Sequence, residues 1–273
     1  MPKKKKLVVR SVQGYGWVPD LPDQRDFSYS APTPFQRNLP DSVDLSSKCP
    51  PVYDQGQLGS CTANAIAAAV EYEHKKKFMP SRLFIYYNER AMEGTVESDS
   101  GAQIRDGIKS VATQGAPPER LWPYQIAKFR DKPSAEAYRA GDTDQVVLYQ
   151  RLAQDLNIMK GCLASKFPFV FGFTAYESFE GQKVAKTGVL PMPGLKEKIV
   201  GGHAVLAVGY DDATRTFLVR NSWGPDWGLK GYFKMPYAYL TNPKLASDFW
   251  TIRGVEEGVS VAKPKKRAKL RRK

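Results

Sequence analysis

The spacing of apolar positions changes about halfway along the chain. After Cys61, Ile66, Ala69 and Val70 recur at three- to four-residue intervals ahead of Glu73, which predicts a helix with one core-facing stripe. Ser60 stands where an N-cap would. Two more helices are expected: Arg82–Glu93, opened by Ser81 and stopped by Gly94, and 102–114, stopped by Gly115. Beyond Trp122-Pro123-Tyr124 a polar connection leads to a fourth helix over about 156–165. From there short apolar runs at 169–174, 203–210, 216–221, 232–235 and 249–253 read as strands. Gly and Pro clusters between them suit antiparallel pairing rather than βαβ units, so the fold class is α+β.

Residues 1–38 have no period. Their prolines remove donors and bias the preceding residues towards extended backbone, which excludes a continuous helix. Tyr15, Trp17, Phe27 and Tyr29 nevertheless need apolar surroundings, and two arrangements stay open: an extended arm laid on the body, or an arm that covers a cleft.

Composition changes this picture little, but charge does. The 273 residues carry a formal charge of +13, which by itself suggests a nucleic-acid binder. Lys3 to Lys6 and Lys263 to Lys273 hold twelve basic residues and no acid, leaving 29 basic against 28 acidic residues elsewhere. The basicity therefore belongs to the tails, read either as solvated ends or as elements for nuclear import or non-specific nucleic-acid contact. The expected division is an arm at 1–38, one catalytic domain at 39–255 and a basic tail at 256–273. No apolar run approaches the ~18 residues of a membrane span, and Leu7-Val8-Val9 is too short for a signal peptide core. Three cysteines, Cys49, Cys61 and Cys162, do not suggest a disulfide framework, which points to a reducing, intracellular compartment. No cofactor or metal cluster is indicated, and a monomer is expected.

The chemistry gathers around Gln55-Gly56-Gln57-Leu58-Gly59-Ser60-Cys61. A thiol is mostly protonated at neutral pH and becomes a nucleophile only where its thiolate is stabilised. A helix N-terminus supplies unpaired N–H groups and a partial positive charge, and an imidazolium supplies a full one. Only His74 and His203 are available. His74 lies at the far end of the same helix, about 20 Å of rise away, and reads as a solvated surface residue. His203 opens the strand Gly202-His203-Ala204-Val205, and two preceding glycines let another backbone approach. Asn221, in Asn221-Ser222-Trp223-Gly224 at the end of the next strand, would orient the imidazole if the two strands pair.

These three segments, in this order, resemble the signature regions of the papain family of cysteine proteases. The resemblance spans about 39–253, and the 142-residue interval from Cys61 to His203 is of the size usual in that family. It implies a two-lobe fold, helical on the left and an antiparallel, barrel-like sheet on the right, with the site in the cleft between them. It implies a peptidase in which Cys61 is the nucleophile, His203 the base and acid, Asn221 the orienting group and Gln55 an oxyanion donor. Gly101 and Ala102 would pair with an extended polypeptide substrate. Ile104 and Gly202 would border an apolar pocket for the second residue before the scissile bond. Trp223, grouped with these substrate-side residues, would shield the Asn–His bond from water.

Two positions depart from the family pattern. Leu58 stands where secreted members have a disulfide cysteine, and Thr62 replaces the tryptophan that usually follows the nucleophile. The arm is shorter than the usual pro-region and resembles that of disulfide-poor members in bacteria and viruses. Two other functions stay open: a narrower hydrolase whose cleft the arm partly blocks, and an inactive fold serving as a scaffold or nucleic-acid binder.

Overall fold

The computed structural model describes residues 15–33, 35, 38–74 and 78–255. Both basic runs lie outside the described residues, so the readings placed on them have no structural counterpart. Among the described residues no helix is long and apolar enough to cross a membrane.

The nucleophile helix, α1 (Cys61–Glu73), is the central element. Every residue from Cys61 to Val70 is buried, so it has a core on all sides rather than a single stripe. Its five alanines between 63 and 69 make this packing feasible, because small side chains let neighbours approach from several directions. One side meets α2 (Arg82–Glu93) and α3 (Ile104–Gln114), and the other meets the sheet. Ser81 caps α2 by accepting from the Phe84 N–H at 3.1 Å, and Gly94 ends it at φ 72°.

α3 begins two residues later than its periodicity suggests. Gly101 takes φ 72°, and Ala102–Gln103 form a short strand, β3, paired in parallel with β1 (Trp17–Val18) of the arm. That pairing claims the Ala102 N–H, which donates to the Gly16 carbonyl at 2.7 Å. The polar connection after Tyr124 also proves more ordered than its sequence implies, holding α4 (Ala135–Gly141) and β4 (Val146–Arg151). α5 (Leu156–Ala164) follows, capped by Asp155.

The second half forms a seven-stranded sheet. β4, β9 (Ala246–Val255), β5 (Phe169–Tyr176), β6 (Ile199–Asp211), β7 (Thr216–Arg220) and β8 (Tyr232–Pro236) lie in that spatial order, and β2 (Ser42–Asp44) also pairs with β6. All its ladders are antiparallel, and the order does not close into a ring among the described residues. The architecture is the expected α+β two-lobe fold. In the β6–β7 hairpin Leu206 faces Arg220. Extending that register puts Asn221 opposite Val205, two residues from His203 and on the same face.

The arm combines both arrangements left open by its sequence. Residues 15–18 run through the cleft, whereas the Tyr29 N–H donates to the Arg151 carbonyl at 2.8 Å on the body. Tyr29 is buried, but Phe27 is 73% exposed and needs no partner. His74 is a correction. Its side chain is only 4% exposed, paired with Asp144 at 3.2 Å and tilted against Phe78.

Candidate active site

Cys61 begins α1 and is completely buried. The Ala204 N–H donates to its Sγ at 3.3 Å. Burial pushes the thiol up to about 12, against the lowering effect of the Ala204, Gly16 and Thr62 backbone amides. Ser60 precedes the helix as expected, but its hydroxyl bonds Tyr124 and makes no cap. Of the buried amides at this helix start, the Thr62 N–H is directed at the thiol.

His203 is 1% exposed and walled by rings: Trp223 at 5.3 Å, Phe173 and Tyr15 at 5.7 Å, and Phe179 at 5.8 Å. Its Nε2 lies 2.8 Å from Asn221 Oδ1. That oxygen also accepts the Ser222 N–H at 2.8 Å, so it can only be the acceptor and Nε2 must carry the proton. Nδ1 is thereby left as an unprotonated base, buried and without a hydrogen-bond partner among the described residues. Burial lowers the imidazole to about 4, partly offset by the bond to Asn221. Thiol and imidazole are both neutral in this arrangement.

Gln55 is fully buried, with Nε2 donating to the Leu58 carbonyl at 2.9 Å and Oε1 accepting from Ser222 Oγ at 2.5 Å. The two bonds fix which end of the amide is which and leave one N–H of Nε2 uncommitted. Ser222 was not recognised from sequence, where it reads only as part of the Asn-Ser-Trp-Gly segment. It is the residue that ties the sheet side to Gln55, and its own carbonyl accepts the Gln55 N–H at 2.9 Å. Trp223 is 1% exposed and lies against His203, Phe179 and Trp227, where it excludes water from the Asn221–His203 pair.

Two carboxylates were also missed, one exposed and one buried. Asp99 accepts the Gly59 N–H at 3.0 Å and the Tyr86 hydroxyl, and Tyr86 in turn receives the Gly101 N–H at 3.2 Å. It therefore joins the nucleophile loop to the pairing segment. Glu89 accepts from Thr62 Oγ1 at 2.6 Å, and burial keeps its carboxyl well above the usual range. Thr62, the departure beside the nucleophile, is thus part of a buried pair. No local pattern flags either acid, since each partner lies far away in sequence.

The arm fills the cleft at the predicted substrate positions. Gly16 is wedged so tightly that a Cβ there would lie 1.5 Å from the Gly59 carbonyl oxygen. A Cβ at Gly101 would lie 2.2 Å from the Gly16 oxygen, and one at Gly202 would lie 2.6 Å from the Trp17 oxygen. Tyr15 covers His203 and donates its hydroxyl to Glu180 at 2.8 Å. Ala102 pairs with the arm, while Ile104, the first residue of α3, is fully buried in the hydrophobic core. Cys49 and Cys162 are free thiols, each near a backbone carbonyl of its own segment. Among the described residues no group of three or more His, Cys, Asp and Glu side chains gathers as a metal site.

Residues 39–249 match the profile described as papain family cysteine protease. An uncharacterized peptidase C1-like protein of Acanthamoeba polyphaga mimivirus is 49% identical over 219 residues, covering 76% of this chain and 70% of the viral protein. Mouse procathepsin L is 28% identical over 216 residues, with 74% of this chain and 62% of that protein covered. Among solved structures, xylellain, a cysteine protease from Xylella fastidiosa, superposes with a TM-score of 0.83 at 46% identity, covering 91% of this chain and 98% of xylellain.

Proposed function

The chain belongs to the papain family of cysteine proteases and is a cysteine peptidase; we propose that it works through Cys61, His203 and Asn221, and that its own arm holds the site latent. The observation that carries the mechanism is the 2.8 Å His203–Asn221 bond, with Asn221 Oδ1 pinned by Ser222. It leaves Nδ1 as the free base a thiol requires. In the cycle, His203 Nδ1 takes the Cys61 proton and the thiolate attacks the carbonyl carbon of a peptide bond. The resulting oxyanion is held by the Cys61 N–H and the free Nε2–H of Gln55. Collapse breaks the C–N bond, with His203 giving its proton to the leaving amine. His203 then takes a proton from water, whose oxygen attacks the thioester, and the acid product departs as the thiol is restored.

Latency is supported by what covers these groups. Tyr15 and Gly16 sit on His203 and Cys61, and both reacting groups are neutral where they should form an ion pair. An extended peptide cannot reach Ala102 while Gly16 holds its N–H. Withdrawal of the arm returns water to the cleft, lowers the cost of charge there and lets the proton move from thiol to imidazole. The test is alkylation by a thiol-directed epoxide together with peptide hydrolysis, in the full chain and in full-length Gly16→Val and Cys61→Ser. The reading requires labelling and hydrolysis that increase in Gly16→Val and are lost in Cys61→Ser. Peptidase activity retained in Cys61→Ser would refute the mechanism, and equal rates in wild type and Gly16→Val would refute latency.

A further inference from the structure

The arm also shows what the cleft's main side pocket can hold. The Trp17 indole lies over two glycines on one face of the β5–β6 ladder: a Cβ at Gly172 would be 2.0 Å from its Cε2 and one at Gly202 would be 2.9 Å from its Cε3. The floor is therefore bare backbone, a slot for a flat side chain. Beyond the ring's edge stands Asp248, 3% exposed, whose Oδ2 accepts the Trp17 Nε1–H at 3.2 Å and the Asp20 N–H at 2.8 Å. Its Oδ1 accepts from Arg151 at 3.1 Å.

The backbone is bent to put this carboxylate there. β5 and β9 pair Val170 with Trp250 and Gly172 with Ser247, so β9 carries one extra residue between these pairs. Asp248 lies in that bulge at φ 58°, a left-handed conformation uncommon for a residue with a side chain. Bulges beside active sites re-aim side chains, and local strain of this kind persists where the fold requires it.

We propose that Asp248 determines specificity, selecting peptides with tryptophan in the pocket bordered by Gly172 and Gly202. The proposal rests on the peptidase reading above. When the arm leaves, Asp248 loses the Trp17 and Asp20 N–H donors and keeps Arg151 and the Ser247 side chain. A phenylalanine in the slot would replace neither lost donor, whereas an indole N–H restores one, as Trp17 does. Arg151 already balances the carboxylate charge, so the slot favours a neutral donor over a second cation.

Fluorogenic peptides differing only at the second residue before the scissile bond test this on the full chain. That residue is tryptophan, 1-methyltryptophan, phenylalanine or arginine. Arm occupancy scales kcat/KM for all four equally, so their ratios report the pocket alone. Tryptophan is expected to exceed 1-methyltryptophan and phenylalanine by about 10-fold, the usual worth of a hydrogen bond to a charged acceptor, and to exceed arginine. In Asp248→Ala the tryptophan to phenylalanine ratio should fall to within about 2-fold. A ratio near one in the wild type, or arginine ahead of tryptophan, overturns the proposal while leaving the peptidase intact. Cleavage of none of the four by either wild type or Gly16→Val overturns both.

Discussion

On the helical side of the cleft, Gln55 and Cys61 lie on one continuous stretch, and the start of α1 aims the Thr62 amide at the thiol. On the sheet side, His203 and Asn221 come from different strands and meet only through the β6–β7 register. The two sides meet at Ser222, which holds one end of the Gln55 amide from the sheet. The Gln55 amide is fixed at both ends, and the His203–Asn221 bond is formed and shielded by Trp223. What is missing among the described residues is a thiol–imidazole hydrogen bond: the thiol receives the Ala204 N–H, and His203 Nδ1 receives nothing. The comparison teaches that the proposed latency does not require a disordered site. It needs only a backbone strand that keeps water and substrate out, so that neither group gains from ionising.

The harshest test of this division is Cys61→Ser, which removes the nucleophile from the helical side while leaving the sheet side whole. Peptide hydrolysis should fall by about 10³-fold or more, the scale on which such sites depend on their nucleophile. Next, Gln55→Ala should lower kcat by about 10² to 10³, the usual cost of one oxyanion donor. A drop confined to KM would show that Gln55 holds substrate and not the oxyanion.

Gly16→Val addresses the gap itself. Overlap with the Gly59 carbonyl should disfavour the docked arm by about 1 to 3 kcal/mol, raising kcat/KM by about 5- to 150-fold until the arm is fully displaced. The pH dependence of thiol alkylation gives the same answer independently. With the thiol raised to about 12 in the docked chain, the alkylation rate should climb about tenfold per pH unit through neutrality. In Gly16→Val it should level off at lower pH, because an exposed thiol beside an imidazolium ionises earlier. A plateau below pH 8 in the wild type would contradict a covered site.

The smallest effect is expected at Ser222→Ala, which cuts the side-chain bond between Ser222 and Gln55 that joins the two walls. Losing one net hydrogen bond should lower kcat by about 2- to 10-fold. Combined with Gln55→Ala, it should cost little more than Gln55→Ala alone if Ser222 acts only by orienting that amide. Full additivity in the double mutant would give Ser222 a separate role.

Much of this was readable in order along the chain. Local periodicity found α1, α2 and α5 to within a residue or two, and the five predicted strands all exist, most of them extended by a few residues. The four proposed catalytic positions could be named because each sits in a short motif with its own chemical logic. The misreadings share a cause. Ala102 is helical by pattern, yet its N–H is taken by an arm more than eighty residues earlier. His74 is polar by type, yet Asp144 and Phe78 enclose it. β4 lacks a clean alternation because it is an edge strand, stabilised by pairing with β9 rather than by an apolar face.

The sequence alone therefore determined the α+β class, the helix that presents Cys61 and the identity of its distant partners. These depend on spacing, capping and side-chain chemistry, all of which act within a few residues. Only the tertiary structure decided that Tyr15, Gly16 and Trp17 lie in the cleft, that Ser222 clamps Gln55, and that a bulge brings Asp248 to the edge of a glycine-floored slot. Such contacts join segments up to 231 positions apart, and their register depends on how the whole core packs, which no local period records.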